Sequence, residues 1–96
     1  MVSFIAPLKV WTGTDGSSRF LIVPASLAGE IKAHALLLPR GFGSVRVAVT
    51  IDDVTWRTSL FPSKGQASYF LPVKIEICRK LGLVEGDPVE VSLELL

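Results

Sequence analysis

Hydrophobic and polar positions alternate through most of this chain. From Ser3 to Trp11, Phe4, Ala6, Leu8 and Val10 fall on one face and Ile5, Pro7, Lys9 and Trp11 on the other, a period of two that predicts a strand. Pro7 has no N–H for a ladder, so that strand belongs at an edge or beside a bulge. "TGTDGSS" reads as a turn, and Arg19 to Val23 as a second strand. In "PASLAGEIKAHALLL" the period changes: Leu27, Ile31, Ala35 and Leu38 recur at three- and four-residue steps. That predicts a helix, with Pro24 in its first turn and Ser26 as a cap. "PRGFG" ends it, and Val45, Val47, Val49 and Ile51 then alternate with polar or small residues. Asp52 and Asp53 make a hairpin turn, from which Val54 to Phe61 returns as a strand. After the loop "PSKGQ", Ala67 to Leu71 is another strand. "PVKIEICRKLG" is a second helix, with Val73, Ile77 and Leu81 on one face and Gly82 as its stop. "EGDP" turns the chain into Val89, Val91, Leu93 and Leu95, a final strand with one fully apolar face.

The order strand, strand, helix, strand therefore occurs twice, over about residues 3–51 and 54–95 of a single 1–96 domain. Matching the halves pairs Trp11 with Trp56, Phe20-Leu21 with Phe70-Leu71, Pro24 with Pro72, Leu27 with Ile75, and the strand at Val45 with that at Val89. Two short helices cannot cover a flat six-stranded sheet. The expectation is mainly β: a small six-stranded barrel, closed or partly open, built from two β-β-α-β repeats.

Composition narrows the picture. The chain has 96 residues, of which 49% are hydrophobic. A domain of this size buries only about 60–70% of its unfolded surface, so that apolar content suits a tightly packed core, with monomer and homodimer both open. Lys+Arg 10 against Asp+Glu 9, with a pI of about 7.9, gives no strong overall field toward polyanions. Charge is uneven locally: Arg57, Lys64, Lys74, Arg79 and Lys80 cluster with only Glu76 among them, and acids gather from Glu85 onward. Cys78 is the only cysteine, which excludes an intrachain disulfide and a cysteine-rich metal site. "MVSFIAPLKVW" lacks the basic and long apolar regions of a signal peptide, and no run approaches the ~18 apolar residues of a membrane span. A soluble cytoplasmic protein of bacterial type, with no membrane association, is expected.

The motifs Arg40-Gly41-Phe42-Gly43, Trp56-Arg57-Thr58-Ser59-Leu60-Phe61-Pro62 and Leu71-Pro72-Val73-Lys74, with "FIAPLKVW" and "FLIVP" upstream, carry a resemblance over nearly the whole chain. It resembles a family of small bacterial domains of unknown function, found alone or ahead of a YdeI/OmpD-associated domain. The resemblance implies a small β-barrel and brings no activity. The last third, "LPVKIEICRKLGLVEGDPVEVSLEL", also looks like one arm of the AbrB-type swapped-hairpin transcription factors, which dimerise and bind DNA. Here both arms lie in one chain, so closure does not require a dimer.

Arg57 and Ser59 share one face of their strand, Lys64 follows in the loop, and Lys74 and Arg40 are candidates to join them. Arg offers a planar fork to carboxylate or phosphate, Lys a point charge and Ser a hydroxyl. Phe42, between two glycines, is either a core plug or an exposed aromatic contact. His34 has no nucleophile to serve and reads as a surface pair with Glu30, and Cys78 reads as a packed thiol. Barrel packing accounts for most of Trp11, Trp56, Phe61 and Tyr69. Asp52-Asp53 lacks further ligands at metal spacing, and no cofactor or metal is expected. The leading expectation is a non-enzymatic binding or interaction module, for a small anionic or aromatic ligand at a barrel rim of Arg40, Phe42, Arg57, Ser59, Lys64 and Lys74. The alternatives are a nucleic-acid-binding regulator using the same basic stretch, and an enzyme of undefined reaction.

Overall fold

In a computed structural model, which describes residues 1–37, 43–63 and 68–96, the alternating segments pair into one curled antiparallel sheet forming a half-barrel. The described residues form seven strands and two helices: β1 (Val2–Pro7), β2 (Lys9–Gly13), β3 (Gly16–Ile22), α1 (Ala25–Ala35), β4 (Val45–Ile51), β5 (Val54–Ser63), β6 (Ser68–Pro72), α2 (Ile75–Leu81) and β7 (Pro88–Leu95). The sheet order is β1-β7-β4-β5-β6-β3-β2.

Seven strands replace the expected six because Leu8 divides the first segment. Its N–H donates to Asp87 O at 2.9 Å and its carbonyl accepts from Gly86 N at 2.8 Å, so its backbone leaves the ladder for the loop before β7. β1 then pairs with β7, whereas β2 pairs with β3. The two end strands of the sheet order are thus consecutive in the chain, joined through buried Leu8. The expected turn "TGTDGSS" is also shorter than its composition suggests. Gly13 pairs with Gly16 across a two-residue turn, and Gly16 takes φ 117°, a conformation suited to glycine.

The core is the inner face of this curl. Val45, Val47, Val49 and Ile51 of β4, Val89, Val91 and Leu93 of β7, and Val2, Phe4 and Ala6 of β1 are all buried. Helix α1 seals it with Ile31, and α2 with Cys78. Leu27, Ala35, Ile77 and Leu81 pack against the same core, as their helical spacing predicts. Ser26 does not cap α1: the N-cap is Pro24 and makes no side-chain bond. Gly82 does stop α2, at φ 68° in the left-handed region. Asp52, also at positive φ, turns the β4–β5 hairpin.

Strand pairing is symmetric under exchange of the two halves. Val23 N donates to Tyr69 O and Val73 N to Arg19 O, both at 2.9 Å, and Leu21 faces Leu71 between them. This register keeps Phe20-Leu21 matched to Phe70-Leu71 but makes Lys74, the N-cap of α2, the counterpart of Pro24, and Ile77 the counterpart of Leu27, two residues beyond the matches read from sequence. The two tryptophans are not counterparts. Trp56 pairs with Val49 and packs against the core, whereas Trp11 pairs with Ser18 and is 60% exposed.

Candidate functional site

Of the expected rim, Arg40, Phe42 and Lys64 lie outside the described residues. Arg57 and Ser59 lie together on the outer face of β5, because Val54, Trp56, Thr58 and Leu60 take the inner positions. Across the ladder Arg57 faces Ala48 and Ser59 faces Arg46, while Ala48 has Glu94 on its other side. A row of hydroxyls crosses the same face: Ser3 Oγ lies 3.3 Å from Ser92 Oγ, and Thr50 Oγ1 lies 2.9 Å from Thr55 Oγ1. This surface is an open face of mixed charge. Lys74 is elsewhere, in a recess of about 250 Å³ lined by Ser17, Ser18, Arg19 and the start of α2.

That recess follows from the β3–β6 pairing. The Val73 N–H to Arg19 O bond holds the end of β6 beside β3 and brings Lys74 to Arg19 and its neighbouring serines. Arg19 Nη1 lies 3.4 Å from Ser17 Oγ, its hydrogen-bond acceptor. The same guanidinium lowers the pKa of Cys78, but burial is the larger effect and pushes that thiol above its ordinary value of 9.0. Cys78 is therefore a neutral packed thiol at neutral pH, as expected. His34 does not act through Glu30 as expected; its Nε2 lies 2.9 Å from Leu96 O.

Ser18 also lines a second recess, an apolar groove of about 330 Å³ with Trp11, Phe20, Ile22, Ser63 and Phe70. Strand alternation puts Leu21 and Val23 in the core, and thus Phe20 and Ile22 on the outside. Cross-strand register then sets Ile22 against Phe70, and Phe70 against Phe61. The Phe20 and Phe70 rings meet edge to face at 6.1 Å and 74°, and those of Phe61 and Phe70 at 5.6 Å and 31°. Phe61 is 41% exposed, so it and Trp11 form outer surface where packing inside the barrel was expected. The Trp11 indole lies over Gly13, where any Cβ would run into the ring.

A third concavity of about 610 Å³ lies between α1 and the β5–β6 ends, lined by residues that include Ala28, Lys32, Pro62, Ser63, Ser68 and Tyr69. It shares Ser63 with the aromatic groove. Arg19, Ser18, Phe20 and Phe70 were missed as candidates from sequence. The available signal was "RFLI", a short strand segment with large apolar residues on both faces, which needs either a covering layer or a use for its outer side.

Among the described residues there is no cluster of three or more His, Cys, Asp or Glu suited to a metal, and no helix long and apolar enough to cross a membrane. The family model DUF1905, a domain of unknown function, matches residues 4–93, and the chain belongs to that family. No curated protein matches it.

Proposed function

We propose that this member of the family is a non-enzymatic binding module for a small ligand that carries both an aromatic body and an anionic group. The observation behind this reading is that Ser18 lines both an aromatic groove and a recess bearing Arg19 and Lys74, with no carboxylate in either lining among the described residues. Aromatic faces accept a planar body by stacking, and guanidinium and ammonium groups accept carboxylate or phosphate through charge-assisted hydrogen bonds. The sole thiol is buried and neutral and the sole histidine is engaged with Leu96, which favours binding over covalent or general-base chemistry. Relative to the sequence expectation, the site keeps Lys74, gains Arg19 and the outer aromatics, and leaves Arg57 and Ser59 farther along the outer face of β5, where that strand pairs with β4 rather than β6.

A thermal-shift screen of aromatic phosphates and carboxylates is expected to yield stabilising compounds, and Lys74→Ala, Arg19→Ala and Trp11→Ala each to weaken their effect. Stabilisation abolished by Arg57→Ala but untouched by Lys74→Ala would move the site to the β4–β5 face and refute this placement.

A further inference from the structure

We propose that this site also takes single-stranded nucleic acid, a polymer of such aromatic and anionic units, held along a track that runs from Lys74 across the outer aromatics to Lys32. The proposal rests on the binding reading above and extends it to a polymer of aromatic, anionic units. Three neighbouring concavities form the track: Ser18 lines both the basic recess and the aromatic groove, and Ser63 lines both the groove and the α1 cleft. The groove crosses adjacent strands from Trp11 on β2 toward β5, three strand spacings or roughly 14 Å, before the cleft continues to α1. That path exceeds a single nucleotide.

Charge complementarity selects the occupant. Cations stand at both ends, Arg19 and Lys74 at one and Lys32 at the other, and among the described residues no carboxylate lines any of the three concavities. Between the cations lie Trp11, Phe20 and Phe70, side chains that stack on bases without regard to sequence. A duplex hides its base faces within its own stack, whereas a single strand presents them. The net charge of +1 implies moderate affinity, best seen at low salt.

The test is fluorescence anisotropy of labelled DNA and RNA, from mononucleotide to hexanucleotide, with the wild-type chain in low salt. Affinity is expected to rise about tenfold or more between one and four nucleotides. With about three phosphates engaged, the slope of log K against log salt is expected near −2. Lys32→Ala should bring the ratio of tetranucleotide to mononucleotide affinity toward one. Trp11→Ala should weaken the tetranucleotide at least about fivefold, with Trp11→Phe as the conservative arm if the alanine variant does not fold. No gain with length overturns the proposal, as does a duplex that binds as tightly as the single strand. If no nucleotide of any length binds while another aromatic anion does, this proposal falls and the small-ligand reading stands.

Discussion

Ser68→Ala tests how α1 is seated over the sheet. Ser68 is 7% exposed, and its hydroxyl donates to Val23 O at 2.6 Å, immediately before the Pro24 N-cap of α1. The bond ties β6 to the point where the chain leaves β3 for the helix, and the helix then supplies Ala28 and Lys32 to the cleft. Alanine fits the same space but leaves a buried carbonyl without its donor, a loss of about 1–2 kcal/mol. Unfolding entropy near 2.1 cal/mol/K per residue gives about 0.2 kcal/mol/K for a chain of this length, so Tm should fall by about 5–10 °C. Scanning calorimetry and urea unfolding with an unchanged m-value would report it. Ser63→Ala is the comparison, since Ser63 lines the same cleft and makes no side-chain hydrogen bond among the described residues. A fall in Tm below about 2 °C for Ser68→Ala, or an equal fall for both variants, would refute the assigned role.

Gly13→Ala should push the Trp11 indole off the strand, because the added methyl occupies the ring's place. In a Trp56→Phe background the tryptophan emission should shift and affinity for screening hits should fall, and an unchanged spectrum would show that the ring does not rest there. Cys78 should make stability fall in alkali. Its folded pKa lies above 9.0, so the unfolded chain loses that proton first; the contribution is intact below about pH 9 and fades as pH rises through the folded value. The comparison is the pH dependence of urea unfolding for wild type and Cys78→Ala: the variant should lose part of the alkaline slope, and superimposable slopes would contradict the buried, neutral thiol.

Features legible in the sequence are those set by near neighbours. Period-two runs located the strands, helical spacing placed Ile31, Ile77 and Leu81 against the core, and Gly82 marked the end of α2. The break at Leu8 was not legible, because the groups that draw its backbone aside are those of Gly86 and Asp87, far along the chain. Matching Trp11 to Trp56 failed for a related reason: strand register decides that Trp56 faces inward and Trp11 outward. For the site, chemistry was legible and convergence was not. Lys74 was a candidate from residue type alone, but its neighbour Arg19 is set by β3–β6 pairing, while Arg57 lies where β5 pairs with β4.

Joining the first strand to the last also has a consequence for biosynthesis. β1 leaves the ribosome well before β7, the strand whose register sets Val2 against Leu93 and Phe4 against Val91. At a translation rate of about 5–20 residues per second, roughly 4–16 s separate the two segments. During that interval Val2, Phe4 and Ala6 have no strand to receive them, and such long-range pairing is intrinsically slow to form. The nascent chain therefore carries the apolar face of β1 without its partner until β7 has been made and can take up that register.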